Sequence, residues 1–159
     1  MSLGVVSKNY GLPGLRIGWI ATRNADLYRQ IAALKDYTTI CNSAPSEFLA
    51  ELALRHRRKL QQRNLQIIAD NLEILDDFFR RHADRFRWTR PAAGPIAFPH
   101  LLDKDVAGFC HELVTRAGVL LLPGTMYDDT GNHFRIGFGR KNLPAAVARL
   151  EQFLDSRHS

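Results

Sequence analysis

Between Pro45 and His82 the apolar residues step by three and four positions, and this run constrains what the rest of the chain can be. Leu65, Ile68, Leu72, Leu75 and Phe79 fall on one face of a 3.6-residue period, a stripe that must find cover. Ser43-Ala44-Pro45 is a start signal, because the first helical turn leaves its amides unpaired and loses nothing to proline. The spacing predicts helix over 45–82, with a break near Arg55 to Arg58, where "RHRRK" puts basic side chains toward solvent. The pattern differs on either side. The helical region is therefore expected to connect two parts, 1–44 and 83–159.

Downstream of the helix the signals are short and β-like. Phe86 to Pro91 and Pro95 to His100 read as strands turning at Ala93-Gly94. Asp105 caps a helix whose Val106, Phe109, Cys110, Leu113 and Val114 face inward, and Gly118 stops it. "VLLLPG" reads as a buried strand and "HFRIGFG" as another. Asn142-Leu143-Pro144 then starts a last helix with Val147, Leu150 and Leu154 inward. The order β-β-α-β-β-α predicts a small α+β layer with helices on one face.

Upstream, Arg16 to Thr22, "RIGWIAT", reads as a strand, and Asn24 as the cap of a helix through Leu34 bearing Leu27, Ile31 and Leu34. Asp36 to Ser43 reads as a connector. Met1-Ser2-Leu3 reads as a vector-derived start, outside the fold.

The 159 residues carry 45% hydrophobic and 24% charged side chains, globular proportions without a disorder signature. Twenty-two Lys and Arg against sixteen Asp and Glu leave a net charge of +6, much of it on the polar face of the long helix. No basic run interleaved with aromatics supports nucleic-acid binding. Cys41 and Cys110 are far apart, and His56, His82, His100, His111, His133 and His158 show no metal-ligand spacing, so no metal site is expected. Free thiols fit a reducing cytoplasm. No membrane span and no signal peptide is expected.

The chemistry concentrates at the start, in "SKNYGLPGLRIGW". Glycine turns let backbone amides approach a phosphate, and arginine can fork onto it. A phosphate loop for nucleotides places its lysine after the last glycine, whereas Lys8 precedes Gly11, Gly14 and Gly18. A lysine beside a phosphate site suits a cofactor carrying both an aldehyde and a phosphate, which is pyridoxal 5′-phosphate.

This segment resembles the signature of the class I and II aminotransferases, the fold-type I pyridoxal-phosphate enzymes. In that family the lysine forms a Schiff base with the cofactor, and an arginine eight residues later binds the phosphate, which the resemblance places on Lys8 and Arg16. "GVLLLPGTMYDDTGNHFRIGFGR" is similar to the family's C-terminal segment, whose strand arginine fixes the substrate α-carboxylate, here Arg135. Arg140, past the strand, reads as a solvated or helix-start charge. Where the family often has a phosphate-binding serine, this chain has Val5, and Ser7 is not assigned to replace it. Tyr10 stands where an aromatic is common and suits packing equally well.

The resemblance implies an α/β to α+β fold: 1–44 an edge of the large cofactor domain, 45–82 the interdomain helical region, 83–159 the small C-terminal domain. It implies an amino-acid aminotransferase, usually a cytoplasmic homodimer, exchanging an amino acid and a 2-oxo acid. It covers only a C-terminal portion of a family member. The aromatic that stacks on the pyridine ring and the aspartate that pairs its nitrogen are not found, and Asp26 and Asp36 lie downstream of Lys8. The alternatives are a C–S lyase or decarboxylase on the same scaffold, or a non-catalytic interaction or oligomerisation remnant.

Overall fold

The computed structural model describes residues 1–156, so Arg157, His158 and Ser159, at the end of the 83–159 segment, lie outside the described residues. The chain divides into two compact units, Met1–Leu65 and Gln66–Ser159.

In the first unit β1 (Ser2–Val5) pairs antiparallel with β2 (Gly18–Ala21), in the register Ser2↔Ala21 and Gly4↔Trp19. Ser2 and Leu3 are thus part of the fold rather than an irrelevant start, and "RIGWIAT" has a paired edge. Gly4 leaves room for the indole across the neighbouring strand: a Cβ there would sit 2.2 Å from a ring atom of Trp19, and the ring would have to move.

Helix α1 (Ala25–Thr38) begins as expected, with the Asn24 carboxamide accepting from the amides of Asp26 and Leu27, each at 3.0 Å. It runs past Leu34 into the expected connector. Lys35 O accepts from Thr39 and Ile40, and the Thr38 hydroxyl donates to the carbonyls of Leu34 and Lys35. The last turn is satisfied locally, which apolar periodicity does not reveal. None of the α1 side chains is buried. Helix α2 (Ala44–Arg55) carries its proline in the first turn and buries Ala50 and Ala53. His56 is the break, and α3 runs from Arg57 to Arg81.

The second unit holds the large core. Leu72, Leu75 and Phe79 are buried and Ile68 packs against them, with Phe78 added at 0% exposure. Leu65 is 65% exposed, contrary to the stripe reading, because it belongs to the first unit and lies outside that core. β3 (Phe86–Arg87) pairs with β5 (His100–Leu101), while β4 (Ile96–Ala97), β7 (Phe134–Gly137) and β6 (Leu122–Pro123) form a three-stranded antiparallel sheet in that order.

The single strand expected over Pro95–His100 is split at Pro99. Proline has no amide to pair, yet its carbonyl accepts from Phe134 N at 3.0 Å. The "VLLLPG" run is not buried throughout: Val119 and Leu121 face the core while Leu120 is 69% exposed. Helices α4 (Val106–Ala117) and α5 (Leu143–Asp155) complete the unit. α4 starts at Asp105, whose carboxylate accepts from Gly108 N at 2.7 Å, and stops at Gly118 with φ 64°. α5 buries Val147, Leu150 and Leu154 as expected. Asn71, 4% exposed, ties α3 to the end of β7 by donating from Nδ2 to the carbonyls of Phe138 (2.8 Å) and Arg140 (2.7 Å).

Candidate active site

Lys8 sits on a loop that closes on one buried residue. Val6, with 0% exposure, donates its amide to Ile17 O at 3.1 Å and accepts at its carbonyl from Leu12 N at 3.2 Å. The residues between are held in a loop tightened by Gly11 N donating to Lys8 O at 3.2 Å. Gly11 adopts φ +68° and lies against Asn64, where a Cβ would come within 3.0 Å of Nδ2. That Asn64 amide in turn donates to Asn9 O at 3.3 Å. The loop is therefore fixed at both ends and along its side. The Lys8 amine is exposed and has no hydrogen bond or ion pair among the described residues.

Arg16 follows a single 3-10 turn, Pro13–Leu15, and has left-handed backbone angles of φ 55° and ψ 36°. An L-residue in that region costs about 1–2 kcal/mol that glycine would not incur. This reversal returns the chain so that Ile17 meets Val6. A glycine would make the turn more easily, so the arginine is explained by its guanidinium rather than by its backbone. Nη1 donates to Pro13 O at 3.2 Å, which leaves the remaining donors to solvent or a ligand. Gly14 borders open space, with nothing within 4 Å of where a Cβ would be.

Lys8 and Arg16 thus stand two residues and one residue from the two ends of the Val6–Ile17 hydrogen bond. An accessible amine and an accessible guanidinium on turns that flank one backbone hydrogen bond, with an uncrowded glycine turn between them, suit a group with an aldehyde and a phosphate. Ser7 and Tyr10 are half-buried, Val5 is 41% exposed, and no hydrogen bond of the Ser7 hydroxyl is seen among the described residues.

Arg135 belongs to the second unit. On β7, Phe134 and Ile136 point into the core, so Arg135 and His133 point out. Ala97 pairs with Ile136 and Pro99 O accepts from Phe134 N, which sets Phe98 across the sheet from Arg135. Arg135 Nη1 donates to Tyr127 Oη at 2.8 Å. The Tyr127 ring meets Phe98 edge-on (6.3 Å, 83°), and Phe98 stacks on His133 (5.2 Å, 16°). His133 Nδ1 lies 3.0 Å from Asp129 Oδ2. That hydrogen bond is the main cause holding the Asp129 carboxyl below its ordinary value of 3.8, with amides of His133 and Gly131 adding to it against a desolvation that opposes it.

The loop carrying this cluster is rigidly specified. Asp128 (φ 57°) and Asn132 (φ 60°) both take the left-handed conformation. Gly124 N donates to His133 O at 2.6 Å, and a Cβ on Gly124 would fall 2.6 Å from Asp129 Oδ2. Asn132 Nδ2 donates to the carbonyls of Leu101 (2.7 Å) and Lys104 (2.6 Å), while its Oδ1 accepts from Val106 N at 2.9 Å. Tyr127, Asp129, Asn132 and His133 escape the periodicity argument. The sequence signal for them was the loop between Pro123-Gly124 and Arg135, rich in residues that tolerate positive φ. Arg140 is exposed, and its carbonyl serves Asn71.

Among the described residues no group of three or more His, Cys, Asp or Glu could hold a metal ion, and no helix is long and apolar enough to cross a membrane.

The family model described as aminotransferase class I and II matches residues 1–150. Capreomycidine synthase of Streptomyces vinaceus is 31% identical over 157 residues, covering 97% of this chain and 40% of its own length. A transaminase of Pseudomonas syringae pv. syringae acting between L-aspartate and 5-guanidino-3-methyl-2-oxopentanoate is 29% identical over 84% of this chain and 34% of its own. A pyridoxal-phosphate-dependent aminotransferase of Streptococcus suis superposes with TM-score 0.87 at 33% identity, over 97% of this chain and 41% of that one. A pyridoxal-phosphate-dependent cyclase, OrfR, gives TM-score 0.85 at 34% identity, over 98% and 43%. The chain therefore spans about 40% of the length of the first of these relatives.

Proposed function

Since this chain belongs to the class I and II aminotransferases, we propose that it is the part of a pyridoxal-phosphate-dependent amino-acid aminotransferase that carries the cofactor lysine and the carboxylate arginine. The observation that carries the reading is the Val6–Ile17 closure, which presents Lys8 and a left-handed Arg16 from adjoining turns. In this reading 1–44 is an edge of the larger cofactor domain, 45–82 the helical connector and 83–159 the small domain.

Pyridoxal phosphate, when bound, supplies an electron sink for negative charge developing at the amino acid Cα. The rest is done by the chain. Arg16 and the amides of the glycine turn hold the dianionic phosphate by charge-assisted hydrogen bonds. Lys8 Nζ anchors the cofactor and then moves the proton at Cα, first as base and later as acid. Arg135 orients the α-carboxylate by a planar two-point contact that lysine cannot reproduce. The co-substrates are an amino acid and a 2-oxo acid.

The complete enzyme is read as a homodimer. The first unit leaves Leu34 (64%), Tyr37 (89%) and Phe48 (67%) exposed, which supports an additional covering surface. A cytoplasmic setting is supported by the free thiols Cys41 and Cys110.

In the complete enzyme, Lys8→Ala is expected to lower transamination by about 10²–10⁴-fold or more and to remove the visible absorbance of the lysine-bound cofactor. Borohydride trapping and peptide mapping should label Lys8; a label on another lysine overturns the assignment. A second reading has support in two of the similar proteins, one described as a synthase and one as a cyclase. Product analysis separates the two: transamination releases a 2-oxo acid and aminates a second one, whereas a cyclase leaves the amino nitrogen in its product.

A further inference from the structure

The hydroxyl of Tyr127 accepts from Arg135 Nη1 at 2.8 Å, and the direction of that bond has a chemical consequence. A guanidinium can only donate, so the phenol oxygen must be the acceptor and its own hydrogen is left over. Among the described residues no acceptor takes that hydrogen, and Tyr127 is 48% exposed. The phenol O–H and the unused edge of the guanidinium are thus two neighbouring donor groups on the outer face of one small sheet. Resting on the reading of Arg135 as the carboxylate arginine, we propose that Tyr127 is a second substrate-binding residue. Arg135 and Tyr127 together form a composite clamp for the amino acid's α-carboxylate, with the phenol donating to one carboxylate oxygen while the guanidinium forks onto the group.

The placement of Tyr127 is held by neighbours that have no other evident task. Its ring meets Phe98 edge-on at 6.3 Å, directly across the sheet from Arg135. Phe98 is backed by the stacked imidazole of His133 at 5.2 Å, which Asp129 holds at 3.0 Å. The left-handed Asp128 turns the chain immediately after Tyr127, and the next residue, Asp129, donates its N–H to Gly124 O at 3.1 Å. A tyrosine whose only task were packing would not need its oxygen at the guanidinium. Phenylalanine would fill the same space.

Tyr127→Phe removes one oxygen and keeps the ring contacts, so folding is preserved. In the complete enzyme it is expected to raise KM for the amino donor about tenfold, the usual effect of losing a hydrogen bond to a charged group, while kcat changes less than about twofold. The cofactor absorbance should stay unchanged. In a cycle with Arg135→Lys, the second substitution should add little to the first, because both act on one carboxylate. If Arg135→Lys raises KM but Tyr127→Phe leaves it unchanged, the clamp is refuted and the assignment of Arg135 stands. If neither changes KM, the underlying assignment of Arg135 fails as well. Fully additive effects would also overturn the clamp.

Discussion

Asn132 shows how much one side chain can organise when its backbone is left-handed. Its three hydrogen bonds reach Leu101, Lys104 and Val106, partners 26 to 31 positions away, and fix both the Leu101–Asp105 loop and the entry to α4. Cap residues such as Asn24 and Asp105 were legible in the sequence because their partners lie within three positions. Asn132 was not, because its partners are remote in sequence. Lys8, Arg16 and Arg135 are proposed from a family pattern, and that pattern is silent about Tyr127, whose proposed role depends on where its oxygen points.

The two cysteines make a test at the same scale. Cys110 is 4% exposed and burial pushes its thiol up to about 11, with the nearby Asp105 charge adding to the effect; Cys41 is exposed. The thiolate is the reactive form, so an aromatic disulfide reagent at pH 8 should label Cys41 rapidly and Cys110 only on unfolding. The sign of the pH effect follows. The unfolded thiol titrates near 9.0 and the folded one near 11, so from about pH 9 upward the unfolded chain sheds a proton that the folded chain keeps. That contribution to stability is full below pH 9 and lost as pH rises toward 11. Cys110→Ser or Ala unfolding curves should lack this alkaline decline, whatever their stability at neutral pH.

Elements were read best where a local stop and start coincide with a period. α4 has the expected caps and buries Val106, Phe109, Cys110 and Leu113, but Val114, expected inward, is 39% exposed. α5 starts after Asn142 without a side-chain cap and buries Val147, Leu150 and Leu154, and the α2–α3 break falls at His56 as expected. The strands fared less well. They are two to four residues long, and their extent is set by cross-sheet pairing and by Pro99 rather than by their own composition. β1 was not expected because Met1-Ser2-Leu3 reads as a vector-derived start and Gly4 adds no β signal of its own, although its missing Cβ leaves room for Trp19 beside it.

The join between α3 and β7 rests on a polar residue inside an apolar stripe. Asn71 is 4% exposed, and its amide satisfies the carbonyls of Phe138 and Arg140 as the strand ends before α5. Asn71→Leu keeps the branched shape of the side chain and raises helix propensity, but it strands those carbonyls. It is expected to destabilise the chain by about 2–4 kcal/mol in denaturant titration. A loss below about 0.5 kcal/mol would mean that water replaces the amide and that the join is not held this way.

At the scale of the whole molecule the two units differ in how well each covers its own apolar surface. The core cluster of the second unit joins α3, α4 and α5 to the sheets, with Phe78, Leu113, Phe134 and Phe138 completely enclosed. In the first unit Val6, Ala50 and Ala53 are the buried hydrophobics, while Leu3, Trp19, Ile20, Tyr28, Leu34, Tyr37, Ile40, Phe48 and Leu49 remain exposed. β2 is paired on one edge only among the described residues, since its sheet has two strands. A 65-residue unit with so little enclosed is not expected to hold its structure in water without further cover. The 159-residue chain by itself should therefore self-associate through residues 1–65, whereas residues 66–159 should unfold cooperatively and sediment as a monomer. Sedimentation velocity over a concentration series on both, with hydrogen exchange across Gly18–Ala21, tests this. A concentration-independent monomer of the full 159 residues with strongly protected β2 amides would show that the first unit needs no partner surface.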